Sequence, residues 1–125
     1  MEARAVAKYI KGSPQKARLV IDQIRGVKAN DALALLRLSK KRAAHPISKA
    51  LWSAIKNATY LAEKQNIMVD VDDLVVTRCF VDMGPTKNRR RVRSAPMGRA
   101  YREQRRSCHI TVYVSTEKDA QTEKK

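Results

Sequence analysis

Only two cysteines, two histidines and four glycines occur in this 125-residue sequence, and each scarcity closes a class of function. Cys79 and Cys108 are too few for a disulfide scaffold and lack metal-ligand spacing, so reduced thiols are expected. Gly12, Gly26, Gly84 and Gly98 never combine into a phosphate-cradling loop, which leaves nucleotide-dependent catalysis without an anchor. His45 precedes Pro46, and His109 falls in a run of β-formers. Neither has a serine or cysteine nucleophile at motif spacing, so no catalytic residue and no enzyme activity are expected. The acids Asp70, Asp72 and Asp73 cluster, yet no further ligands follow at the spacing of a calcium loop. They read as a solvated turn, and neither a metal nor a cofactor is expected. Apolar runs fall far short of the ~20 residues that span a bilayer. The basic stretches lack the apolar face of an interfacial helix, so no membrane partner is expected. Glu2 and Arg4 interrupt the first residues, which read as a strand rather than a secretory leader. A cytosolic or organellar-matrix location follows as an expectation.

Acid is scarcest where base is densest. Residues 86–106 hold Lys87, Arg89, Arg90, Arg91, Arg93, Arg99, Arg102, Arg105 and Arg106 against Glu103 alone, a net +8 of the chain's +15. Charge of this density calls for a polyanion, whose condensed counterions are released when cations replace them. Arginine outnumbers lysine eight to one in the segment. That favours planar, forked contacts with phosphate and stacking on bases, and hence structured nucleic acid.

The remaining sequence reads as a small α+β body. Small or aromatic residues at 3, 5, 7 and 9 alternate with Arg4, Val6, Lys8 and Ile10, as in a short strand with one charged face. Ser13 and Pro14 open a helix whose apolar positions Ala17, Val20, Ile21 and Ile24 recur at helical spacing until Gly26. A second helix is expected to be capped by Asn30, with Asp31 near its positive end. Its stripe is Ala32, Leu33, Leu35 and Leu36, and it stops near Ser39. The strongest period belongs to a third helix through Ile47, Ala50, Leu51, Ala54, Ile55, Ala58, Leu61 and Ala62, starting at or kinked by Pro46. Trp52 and Tyr60 fall beside that stripe, and packing against the core is their expected role. Strand character dominates residues 69–82 and resumes over 108–114.

The basic segment therefore lies at the far end of a hairpin of about residues 75–114, its tip at about 86–99. Twelve extended residues from 75 to 86 span roughly 40 Å, whereas a body of about 85 residues is only ~31 Å across. The hairpin must project, and its repelling charges need phosphates to settle them. Cys79 and Cys108 lie at similar distances on either side of the tip, but a functional bridge between them is not expected. Residues 116–125 read as a disordered polar tail, and 1–115 as one domain.

With these elements in place the chain resembles the bacterial-type large-subunit ribosomal proteins of the L-twenty-two family. The resemblance rests on Ser13-Pro14-Gln15-Lys16-Ala17-Arg18-Leu19-Val20 with Ile24-Arg25-Gly26, on Lys41-Arg42-Ala43-Ala44, and on Ser53-Ala54-Ile55-Lys56-Asn57-Ala58. Asp72-Asp73-Leu74, Phe80-Val81-Asp82-Met83-Gly84-Pro85, Met97-Gly98-Arg99-Ala100 and Cys108-His109-Ile110-Thr111-Val112 follow in order. It implies three helices on a small antiparallel sheet with a long projecting β-hairpin. It implies further a scaffold that binds large-subunit ribosomal RNA, supports subunit assembly, and adjoins other large-subunit ribosomal proteins and the nascent peptide in the exit tunnel. No homo-oligomer is expected.

Carried onto this sequence, Arg90, Arg91, Val92, Arg93, Ser94, Ala95 and Pro96 form the tunnel-lining tip. The hairpin cations bind RNA, with Arg4, Lys8, Lys11, Lys16, Arg18, Lys40, Lys41, Arg42, Lys49 and Lys56 as secondary contacts on the body. A free nucleic-acid chaperone or architectural DNA-binding protein is the competing expectation, since basic β-arms also grip grooves.

Overall fold

The computed structural model describes residues 1–86 and 90–116, with Arg90 described by its backbone alone. Three helices cover one face of a three-stranded antiparallel sheet, and a two-stranded hairpin continues from it. The sheet is formed by β1 (Glu2–Lys11), β2 (Leu74–Met83) and β5 (Ser107–Thr116), in the order β1-β5-β2. The arm is formed by β3 (Arg90–Ser94) and β4 (Ala100–Gln104).

Central strand β5 sends Cys108, Ile110, Val112 and Val114 to the helix side, all essentially inaccessible to solvent. In β1 the inward residues Ala3 and Ala5 are small, so the long helix α3 (Ala44–Gln65) lies close against the strand. The helix answers with small residues of its own, Ala50, Ala54 and Ala58, between Ile47, Leu51 and Ile55. The side-chain amide of Asn57 donates to the Arg4 carbonyl oxygen at 2.9 Å, tying helix to strand. Pro46 sits in the first turn of α3, where a missing N–H costs nothing, and the helix starts beside it rather than kinking.

Helix α1 (Pro14–Ile21) begins with proline at its first position, as expected, but ends three residues before Ile24. The chain turns through Ile24, still buried, to Gly26 at φ +78. There the Gly26 N–H donates to Val76 O at 2.8 Å, and Val76 N–H donates to Val27 O at 3.0 Å. Helix α2 (Ala29–Leu38) starts before Asn30, with Lys28 at the cap position. Asn30 instead reaches across to the Asp72 carboxylate. Ala29, Ala32 and Leu36 carry its buried stripe, while Leu35 is exposed.

Two irregularities set which side chains face in. Lys8 and Tyr9 form a bulge in β1, with Tyr9 at φ +57, so Ala7 pairs with Ile110 and Ile10 with Cys108. Strict alternation would turn Tyr9 inward beside the alanines. The bulge turns it out onto His109, whose Nδ1 accepts from the Tyr9 N–H at 3.0 Å. A second bulge at Thr77–Arg78 lets Val76, Cys79 and Val81 all face the helices. Residues 69 and 70 lie outside any strand, and a single 3-10 turn, Val71–Asp73, precedes β2.

Cys79 stands opposite Val112 and Cys108 opposite Met83, so the hairpin register keeps the two free thiols apart. β5 extends through Thr116, one residue into the stretch read as tail, and residues 117–125 lie outside the described residues. The arm begins where Gly84 passes Ser107: Gly84 N–H donates to Ser107 O at 2.8 Å, and Ser107 Oγ donates to Pro85 O at 2.9 Å.

A Cβ on Gly84 would collide with Ser107 Oγ and lie 3.0 Å from the Ser107 carbonyl carbon. Gly84→Ala is therefore expected to destabilise the protein by about 1–3 kcal/mol in urea melts. Burial raises the pKa of both thiols. A thiol reagent at mildly alkaline pH is expected to label Cys79 and Cys108 far more slowly in the native protein than in urea.

Candidate nucleic-acid interface

Alternation along β3 and β4 distributes the arm's side chains over two faces. Arg91 pairs with Glu103 and Arg93 with Tyr101 on one face, while Val92 pairs with Arg102 and Ser94 with Ala100 on the other. Cations thus leave the ribbon on both sides, which suits an arm enclosed by its partner rather than laid on it. Glu103 accepts from Arg93 at 2.9 Å along a diagonal and from Arg105 at 3.4 Å. Arg91, Arg99, Arg102 and Arg106 have no ion-pair partner among the described residues. Lys87 and Arg89 lie outside the described residues, and Arg90 opens β3.

The apex of the arm is a short turn. Residues 90–94 are the outgoing strand, and the turn proper is Pro96–Gly98, closed by Ala95 N–H donating to Arg99 O at 2.9 Å. Met97 and Gly98 both adopt positive φ there, and Met97 is 95% exposed. Arginine-rich sequence carries no signal that separates a solvated strand from a loop. Tyr101, also prominent on the arm, was not among the residues expected to form the site.

The body cations expected to contact RNA form three groups, and Arg18, together with its neighbour Arg25, stands apart from them. Lys11, Lys16 and Arg42 come together with His45 around one cleft of about 510 Å³, floored by Ile10, Ala17, Ile110 and Cys108. The cleft lies at the arm's root, since Gly12 N–H donates to Arg106 O at 3.2 Å. Lys40 and Lys41 are exposed in the same α2–α3 connection. Arg4 and Lys8 stand on the sheet face away from the helices, beside Tyr9, Phe80 and Tyr113. Lys49 and Lys56 stand on the outer face of α3, with Trp52 and Tyr60, which are exposed rather than packed in the core.

The Arg18 guanidinium donates twice to Val81 O, at 2.9 and 3.2 Å. Arg25 is bonded to Cys79 O at 3.0 Å and to Asp22 at 3.1 Å. Both cap carbonyls of the edge strand β2, so their charge is partly committed to the fold. Among the described residues, no three His, Cys, Asp or Glu gather as metal ligands, and no helix is long and apolar enough to cross a membrane.

Comparison with known proteins agrees along nearly the whole chain. The family model described as ribosomal protein L22p/L17e matches residues 5–115. Among curated relatives, the large ribosomal subunit protein uL22 of Solibacter usitatus is 54% identical over 120 residues, 96% of this chain and 100% of the relative. The uL22 proteins of Pelotomaculum thermopropionicum and Halothermothrix orenii are 46% and 47% identical, each over 95% of this chain and 99% of theirs.

Replacing Arg91, Arg99 and Arg102 together by alanine is expected to weaken binding to structured RNA. The log–log salt slope should become shallower by about 2, near 0.7 per lost single-strand phosphate contact. Filter binding across a salt series measures it. An unchanged slope would mean that these side chains face water instead.

Proposed function

The chain belongs to the ribosomal protein L22p/L17e family, a structural constituent of the large ribosomal subunit. Within that subunit, we propose, it binds large-subunit ribosomal RNA, supports assembly and lines the nascent-peptide exit tunnel with its arm. The observation that carries this reading is the arm itself, a ribbon with cations on both faces and one acid.

Alone, such a ribbon suffers repulsion among its arginines, of which Glu103 relieves only a part. Phosphates arriving from either side remove the repulsion and gain forked hydrogen bonds, so the arm is at its most stable when RNA surrounds it. Assembly follows from the same arithmetic, because RNA segments brought to opposite faces of the arm are screened from one another. The body adds contacts of shape and charge through Lys11, Lys16 and Arg42 at the root.

At the apex, the turn Pro96–Gly98 presents little charge and an exposed Met97. This is the chemistry for a surface that passing peptides must slide along rather than adhere to. Residues 90–96, with Met97 and Gly98 added, are the proposed tunnel-facing tip. Other large-subunit proteins and the nascent peptide are its proposed neighbours, and the bacterial relatives support a place in the cytoplasmic ribosome.

The test replaces residues 87–104 by a short glycine-containing turn between the strands that meet at Gly84 and Ser107. The body is expected to unfold cooperatively on heating, because its core lies in the sheet and helices. The full chain should enter reconstituted large subunits and co-sediment with them at high salt, and the armless one should wash off. Failure of the full chain to co-sediment would sink the reading. So would affinity for duplex DNA equal to that for large-subunit RNA across the salt range.

A further inference from the structure

Phosphate and shape leave one row of side chains unused. Lys49, Trp52, Lys56 and Tyr60 recur along α3 at spacings of three and four, so they share one side of the helix. Ile47, Ala50, Leu51, Ala54 and Ile55 occupy the opposite side and meet the sheet. Trp52 is 57% exposed and Tyr60 65%, so the two rings contribute little to the core. The Lys56 ammonium stands 5.5 Å from the centroid of the Trp52 ring. Tyr60 also borders a shallow cleft of about 410 Å³ shared with Arg4 and Tyr113, which carries the row round to the edge of the sheet.

Charge chooses the occupant. An apolar protein surface docking on the two rings would have to desolvate Lys49 and Lys56 beside them without compensation. A nucleotide brings both halves of the match, a planar base for the ring and a phosphate for the lysine. Trp52 and Tyr60 are eight residues apart, about 12 Å along the helix axis. Neighbouring bases in a stacked strand rise only ~3.4 Å, so a strand that uses both rings must be locally unstacked, as in a loop or bulge.

We propose that the Lys49, Trp52, Lys56 and Tyr60 face of α3 is a stacking platform for unpaired RNA nucleotides. Bases lie on Trp52 and Tyr60, and the intervening phosphates lie near the lysines. The proposal rests on the RNA-binding reading above and deepens it, since it adds a mode that recognises single-stranded character rather than duplex shape.

Trp52 is the sole tryptophan of the chain, so selectively excited tryptophan fluorescence reports this face alone. Three probes are titrated in parallel: single-stranded poly(A), the poly(A)·poly(U) duplex, and heparin, a polyanion without bases. Poly(A) is expected to quench Trp52 to saturation, while duplex and heparin bind with much smaller quenching. Trp52→Leu combined with Tyr60→Leu should lower poly(A) affinity about tenfold or more, leave heparin affinity unchanged, and leave the thermal melt intact because both rings are exposed. Trp52→Phe with Tyr60 retained should recover most of the loss.

Heparin quenching equal to that of poly(A), or poly(A) affinity unaltered in the double leucine variant, would overturn the platform while RNA binding stands. The face would then meet a protein neighbour or water. If neither poly(A) nor large-subunit RNA is retained in filter binding, the platform and the RNA-binding reading fail together.

Discussion

Backbone pairing between β2 and β5 holds this molecule together and also aims its charge. The two strands pair from Leu74 and Thr116 down to Met83 and Cys108, and the chain then leaves the body past the close approach of Gly84 and Ser107. An arm that repels itself cannot choose its own direction. It inherits one from strands whose inward side chains, Val76, Cys79, Val81, Ile110, Val112 and Val114, are buried under three helices. The register of a dry core is strongly specified, because a one-residue slip would turn every one of those side chains to solvent. A second register, that of β3 with β4, fixes which arginines leave the ribbon on which face.

Arginine serves two purposes in this chain that composition does not separate. On the arm it remains available for a polyanion. On the body, Arg18 and Arg25 close the outer edge of β2 by taking the carbonyls of Val81 and Cys79, with Gly26 and Val27 pairing Val76 beside them. An edge strand treated in this way offers no ladder to another chain. Outside the arm the net charge is +7, the chain's +15 less the arm's +8, and part of it is committed to carbonyls of β2 rather than left free at the surface.

Much of this was legible in the residues. Pro14, Gly26 and the alternating Ala, Ile and Leu of α3 act through local geometry, and their effects could be placed to within a few positions. The antiparallel pair around the basic segment followed from β-branched runs on either side of it. What sequence missed depended on distant partners or on a single extra residue. Asn30 looks like a cap but bonds to Asp72, forty-two positions away. The bulge at Lys8 and Tyr9 reverses alternation without any glycine to announce it. Leu35 falls within the apolar stripe of α2 yet is exposed, and Trp52, an aromatic residue beside the stripe of α3, faces away from the core. At the arm, repeated arginine hid the regular strand that precedes the turn at Pro96–Gly98.

The pairing of Glu2 with Ser115 gives the molecule a history as well as a shape. β1 is made first and β5 last, yet β5 is the strand that stands between β1 and β2. During synthesis, the alanine-lined face of α3 and the inward residues of both outer strands have no central strand to share. The sheet cannot close until β5 has left the ribosome that makes it. Contacts that span so much sequence form slowly and leave apolar surface open meanwhile. A newly made copy therefore passes through an interval in which its basic arm is complete and its core is not.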